Sequence, residues 1–297
     1  MPNIVNYATK FEKQLRQKYT NELKTTALTS PEGGQGIKFI DAKTIKIPFV
    51  KMDGYKDHSR NGGFNRQAVE NDYMTKTLDF DRDIEFFVDA MDVDETNQAL
   101  SAANVTNTFV TEQAIPETDC YRISKLYQEW VDLGGVVDDT AITSGNALTL
   151  FDKYMEVMDE AEVPEEGRFL YATPKAYTAL KNADKVARSI NVNNNNGKID
   201  RTVRTLDDVT LTKVPSSRMK TIYDFTSGFK PGTTAEQINM ILIHPKSVIA
   251  VDKHAYIKLW PEGTHTQGDG WLYQNRKYGD LFVIDNRLDG IMINADE

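Results

Sequence analysis

The stretch 98–133, QALSAANVTNTFVTEQAIPETDCYRISKLYQEWVDL, decides the fold of this chain. Leu100, Ala103, Val110 and Ala114, then Tyr121, Leu126, Tyr127, Trp130 and Val131, recur at three- and four-residue steps. That period lays an apolar stripe along one face of a helix. A continuous helix of this length spans roughly 50 Å. Pro116 falls inside it. Proline removes a backbone donor and crowds the carbonyl four residues back, which predicts a kink or restart at Ala114–Pro116. Everything before this spine reads as extended, and everything after it as a compact α/β unit.

Working outward, Gly134-Gly135 ends the spine and VVDDTAITSG supplies a turn. Ser144 or Asn146 is placed to cap the next helix, whose apolar face carries Leu148, Phe151, Tyr154, Met155 and Met158. FLYA reads as a short buried strand, and Thr173-Pro174 as a cap followed by proline at the first helical position. NVNNNNG (191–197) is a polar loop. VTLTKV, MILI, SVIAV and YIKLW read as strands, with TSGFKPGTTAEQ as an exposed loop. The ending GWLYQNRKYGDLFVIDNRLDGIMI reads as a long strand, a turn and a final strand.

Before the spine, TIKIPFV alternates, KMDGYKDHSRNGGFNR is polar, and TLDFDRDIEFFVDAM alternates again. Two strand-like runs around a polar tip predict an extended hairpin with the second run as its return. Lys51, Lys56, His58, Arg60 and Arg66 make the tip basic, while Asp79, Asp81, Asp83 and Glu85 share one face of the return. Opposite charge of this kind fixes register between identical subunits. A calcium loop does not fit, because Ile84 and Ala90 stand where the EF-hand template needs glycine and glutamate. At the start of the chain Tyr7, Phe11, Leu15, Tyr19 and Leu23 recur every fourth residue among lysines and Arg16, a basic amphipathic helix. Two placements fit it, an arm on a neighbouring surface or a helix on its own domain. Its terminal position and the breaker SPEGGQG favour the arm.

Composition narrows the function. The 297 residues are 40% hydrophobic and 27% charged, enough for one large core or two modest ones. No apolar run approaches the roughly 20 residues of a membrane helix, and the first residues lack the form of a secretory signal. One cysteine, Cys120, forms no internal disulfide. A net charge of −9 argues against a dedicated nucleic-acid binder but permits a protein that encloses DNA without gripping it. Phosphate loops and nucleophile elbows are missing. His244, after an apolar strand, reads as a satisfied strand-end residue rather than a base, and Cys120 as packing rather than a nucleophile. No catalytic, cofactor or metal residue is assigned.

The run FVTEQAIPETDCYRISKLY (109–127) resembles the spine segment of major capsid proteins of tailed bacteriophages, which share the Hong Kong 97-type fold. The resemblance continues through NALTLFDKYMEVMDEAEVPEEGRFLYATPKAYTALK and INMILIHPKSVIAVDKHAYIKLWPEGTHTQGDGWLYQNRKYGDLFVIDN, so that it covers roughly residues 38–294. It implies an α+β fold: an N-terminal arm (1–36), an extended loop (37–92), a spine helix of the peripheral domain (93–135), an axial domain (136–252), and strands that return to the peripheral domain and end in the axial one (253–297). It implies self-assembly as hexamers and pentamers into an icosahedral shell around double-stranded DNA, with the virion as the destination and the bacterial cytoplasm as the place of assembly. A separate scaffolding protein and a portal are the partners expected besides the chain itself, with no membrane involved. Only some 36 residues precede the loop, so the arm is expected to escape cleavage. Candidate intersubunit residues are Phe11, Leu15 and Tyr19 of the arm, Lys51, Lys56, Arg60 and Arg66 of the tip, and Asp79, Asp81 and Asp83. Some family members join a loop lysine to a neighbour's asparagine through a glutamate base. Lys51 or Lys56 and Asn275 stand for the amine and amide, but YQNRKYGDLFVIDN contains no glutamate, so cross-linking is not expected. Two other readings are an encapsulin-like compartment holding a cargo enzyme, and an α/β enzyme that dimerises through its hairpin.

Overall fold

The computed structural model describes residues 22–29, 38–39, 43–58, 66, 69–95, 102–183 and 203–296. Strands β1 (Lys38–Phe39), β2 (Thr44–Lys51), β3 (Glu70–Thr77) and β4 (Phe80–Asp89) lead to α1 (Ala90–Glu95). The spine follows as α2 (Ala102–Phe109), a π turn (Val110–Ala114) and α3 (Ile115–Asp132). Then come α4 (Ala147–Glu160), β5 (Phe169–Ala172), α5 (Pro174–Lys181), β6 (Thr205–Leu206), β7 (Val209–Lys213), β8 (Tyr223–Asp224) and β9 (Lys230–Pro231). The chain closes with β10 (Ile238–Ile243), β11 (Val248–Trp260), β12 (Gly270–Val283) and β13 (Ile291–Ala295).

The spine restarts where Pro116 requires it. Across the π turn the backbone stays right-handed helical, and the Ile115 N–H reaches back to the Val110 carbonyl. The widened turn absorbs the missing donor without breaking the helix. The Thr118 hydroxyl donates to the Ala114 carbonyl at 2.8 Å. At the other end Gly134 takes φ +99°. Its N–H donates to Val131 O, and that of Gly135 to Trp130 O, at 2.9 Å each. This is a Schellman stop, and a left-handed residue there favours glycine.

Two sheets flank the C-terminal half of the spine. The five-stranded sheet runs β13-β10-β5-β7-β6, antiparallel except for β5 beside β7. Alternation along its strands serves two cores. Leu170, Ala172, Met240 and Leu242 pack on Phe151, Tyr154 and Met158 of α4 and Tyr177 of α5. Tyr171, Ile241, Ile243 and Ile293 pack on Ile123, Leu126 and Trp130 of the spine and on Val248, Leu281 and Val283. The three-stranded sheet β11-β12-β4 is antiparallel, and the two runs SVIAV and YIKLW are one strand with a register shift between Asp252 and His254.

The hairpin differs from the sequence expectation. Its return is β3, paired with β2 from Thr44↔Thr77 to Lys51↔Glu70. The acidic run is β4, in the other sheet beside β12. Alternation identified both runs as strands, but no local signal says which partner an alternating strand takes. The predicted cap also differs. Asn146 stands at the N-cap of α4 but turns back, its Oδ1 accepting from the Thr143 N–H at 2.7 Å and its Nδ2 donating to Ala141 O at 2.9 Å. Thr173 caps α5 as expected, its hydroxyl accepting from the Ala176 N–H at 3.3 Å. The loop 191–197 lies outside the described residues.

Candidate intersubunit surface

The β2–β3 hairpin is locked at its root, and the described residues of its tip are exposed. Ile45 and Leu78 are buried among Ile249, Val251 and Phe282. Beside them the buried Asp280 carboxylate accepts from the Tyr121 hydroxyl at 2.6 Å, the Leu281 N–H at 2.8 Å and the Asp79 N–H at 2.9 Å. Burial raises its pKa above the ordinary carboxylate value, against the opposing pull of those three donors. Phe80 stacks on Tyr121 with ring centroids 3.7 Å apart, and Phe225 meets both rings edge-on. Lys76 of β3 pairs with Glu129 at 3.1 Å, a carboxylate shared with Lys125 at 3.4 Å. Arg82 of β4 pairs with Glu117 at 2.7 Å and donates to Phe225 O at 2.6 Å.

Four spine residues therefore receive the hairpin root and β4: Glu117, Tyr121, Lys125 and Glu129. They stand four apart and form one column on the helix. The sequence reading missed this column because it sought apolar periodicity. The charged repeat at four-residue spacing was the available signal.

Beyond the root the surface changes. Residues 52–58 are exposed, with Met52 at 72% and Tyr55 fully open, and Val50, Val69 and Tyr73 are exposed beside them. Apolar side chains gathered at the end of a projecting element mark a surface that another molecule covers. Of the basic tip residues, Lys56 lies exposed 4.0 Å from Asp53, and Arg66 is exposed. The Lys51 side chain and Arg60 are outside the described residues, as are Phe11, Leu15 and Tyr19. The acidic face of β4 is partly occupied within the chain. Asp81 makes a two-pronged pair with Arg276, at 2.9 and 2.6 Å, and this bond holds its carboxyl below the usual range. Glu85 accepts from Gln274 at 2.7 Å, Asp83 lies opposite Arg276 in register, and Asp79 is exposed. Asn275 donates to the Tyr273 hydroxyl at 2.9 Å.

The base of the arm is clasped by buried charge. Asp119 has no exposure. It accepts from the backbone N–H of Lys24 at 3.1 Å and of Thr25 at 3.0 Å, from the Thr25 hydroxyl at 2.9 Å, and from Arg218 at 2.8 Å. Arg122 donates to Thr29 Oγ1 at 2.7 Å and to Thr25 O at 3.3 Å, and pairs with Asp252 at 3.3 Å. A fully paired buried carboxylate of this kind fixes geometry, since each missing partner leaves an uncompensated charge. The sequence gives no sign of it, because Arg218 stands 99 residues from Asp119.

Little points to chemistry. Burial pushes the Cys120 thiol up to about 12, and its Sγ lies 4.0 Å from Ser217 O, so it stays protonated and inert. His244 is buried at the end of β10, its Nδ1 accepting from the Lys246 N–H at 3.2 Å, and burial lowers its pKa. Among the described residues no three His, Cys, Asp or Glu side chains are grouped to hold a metal, and no helix is long and apolar enough to cross a membrane.

No family model matches the chain, and no curated protein does. Solved structures match it from end to end. A chain of Mycobacterium phage Che8 is 14% identical with a TM-score of 0.61, the match covering 98% of each chain. The asymmetric unit of the bacteriophage PhiM1 mature capsid is 13% identical with a TM-score of 0.66, covering 97% of this chain and 91% of that one. The capsid of a native GTA particle is 12% identical with a TM-score of 0.58, covering 97% and 95%. At these identities the likeness is one of fold. The chain has the mixed α+β architecture of phage capsid chains, the Hong Kong 97-type fold.

Proposed function

We propose that this chain is the major capsid protein of a tailed phage, prophage or related particle, building an icosahedral shell from hexamers and pentamers around double-stranded DNA. The observation that carries the reading is the full-length correspondence with capsid chains, in a molecule whose hairpin root is fixed and whose apolar tip is uncovered. Arm, hairpin and spine form the peripheral part, and the five-stranded sheet with α4 and α5 forms the axial domain that meets its copies at the capsomer centre. The role is structural rather than enzymatic. Met52, Tyr55 and Lys56 of the tip reach a neighbouring copy, with a scaffolding protein and a portal as assembly partners. The net charge of −9 suits a wall along which packed DNA slides, since a basic lining binds phosphates and releases their counterions.

The test is negative-stain microscopy with light scattering on the chain expressed alone and with its neighbouring genes. Closed shells or ring-like capsomers, filled with DNA when packaging genes are present, support the reading. Shells filled with protein turn it toward a cargo compartment, and a monodisperse monomer or dimer under every condition overturns it.

A further inference from the structure

Besides the spine, the chain passes between its two larger sheets at β10–β11 and at β12–β13. Each connection is a short 3-10 turn, Pro245–Ser247 in the first and Asp285–Gly290 in the second. The two turns lie against each other. The His244 N–H donates to Gly290 O at 2.9 Å, and the Ile284 N–H to Ser247 O at 3.0 Å. Arg287 donates to Lys246 O at 2.7 Å. A Cβ at Gly290 would collide with the Ser247 side chain and stand 3.8 Å from His244 Cβ, so the approach is close enough to need glycine.

The His244 ring sits at the centre of this joint, 4% exposed. Pro245 opens the first turn and has no N–H, so the next one, on Lys246, is the donor that needs a cap. The His244 Nδ1 accepts from it at 3.2 Å. A backbone N–H only donates, so this Nδ1 carries no proton. The ring also faces the Glu166 backbone, the neighbour that favours a charged ring. Burial acts against that charge, and so do the cations around it: Lys246 on its own turn, Arg287 from the second turn and Arg168 from the start of β5. The carboxylates described on these elements do not answer them. Asp159 is engaged by Arg168 at 2.6 Å, and Asp285, Asp289, Glu165 and Glu166 are exposed.

We propose that His244 is an acid-sensitive latch on the joint between the two sheets. Neutral, its ring caps the first turn and holds it against the second. Protonated, Nδ1 becomes a donor facing the Lys246 N–H, the cap is lost, and both connections loosen together. An open joint exposes the ring, which then takes a proton near the ordinary 6.5, whereas the closed joint resists it to lower pH. Acid therefore favours opening, by up to tenfold for each pH unit below about 6.5 until the closed ring also titrates. The proposal does not depend on the capsid reading, since it concerns a joint within one chain.

The experiment is hydrogen exchange on the full chain at pH 7 and pH 5, corrected for the intrinsic effect of pH. Amides of 244–247 and 284–290 should exchange about tenfold faster at pH 5, with those of β5 and β7 unchanged. His244→Asn keeps an acceptor near the Nδ1 position and gains no proton, so it should abolish the difference. Equal acceleration in both proteins, or none in the unmodified chain, overturns the proposal. Should the variant fold poorly, the unmodified chain is titrated by NMR. The Trp130 indole, which donates to Leu288 O in the second turn at 3.3 Å, should shift with the same midpoint as the His244 ring. An indole signal that stays fixed while the ring titrates, or a ring still neutral at pH 5 in an opened joint, overturns it as well.

Discussion

Asp119 is cut off from solvent but surrounded by donors, and its partner Arg218 is nearly as deeply buried. Replacing it with alanine leaves the guanidinium buried without a counter-charge and two backbone amides without an acceptor. Asp119→Ala should therefore lower unfolding free energy by about 3–5 kcal/mol. It should also open residues 22–29 to protease, and urea titration with limited proteolysis checks both effects. Asp138 gives a pH dependence. Partial burial acts to raise its pKa, but bonds from Thr140 and Lys153, the latter at 3.0 Å, overcome this and hold it down to about 2. A carboxyl depressed in the folded state contributes stability that is present above its unfolded value near 4 and lost as pH falls toward 2. Allowing for solvent screening, its contribution is about 1 kcal/mol. Asp138→Asn should flatten that part of the stability curve between pH 4 and 2. His244 acts in the same direction at milder pH, since burial lowers its pKa and its protonation on acidification opposes folding.

At the scale of elements, the spine's two interruptions have different characters. At Pro116 the helix absorbs a local defect by widening one turn. At Gly135 the stop is enforced by packing, because a Cβ there would stand 2.3 Å from the Trp130 ring. Gly135→Ala should cost about 1–3 kcal/mol as Trp130 is forced to shift, visible as a fall in Tm with altered tryptophan emission. The hairpin root depends on Leu78, buried between two elements that pair with different sheets. Leu78→Ala should cost about 2–5 kcal/mol and loosen exchange protection across β2 and β3 before the five-stranded sheet is affected. The expectation that TLDFDRDIEFFVDAM returns the hairpin failed here. A two-residue break at Leu78-Asp79 divides the run, and Asp280, 201 residues from Asp79, holds that break.

For the whole molecule, folding and assembly separate on the surface. Met52 and Tyr55 touch little within their own chain, so Met52→Ser with Tyr55→Ser should change subunit stability by no more than about 0.5 kcal/mol. The same pair should prevent or weaken shell formation, measured by light scattering beside the unmodified chain. Normal shells from the double variant would remove the tip from the proposed interface. The acidic face of β4 offers less than the sequence suggested, since Asp81 and Glu85 already have partners in the chain.

The sequence by itself determined the elements: the spine from its apolar period, its stop at Gly134-Gly135, the α/β order after it, and the final strands. These follow from local rules, in which each residue's preference and its neighbours three or four places away suffice. The tertiary structure alone decided which strand pairs with which, where Asp119 and Asp280 find their partners, and which apolar residues are left bare. Those outcomes rest on contacts between residues tens to hundreds of positions apart, 33 for Thr44 and Thr77, 99 for Asp119 and Arg218, and 201 for Asp79 and Asp280. No local pattern encodes such contacts, because a buried carboxylate and a solvated one look alike until the fold brings the donors to one of them.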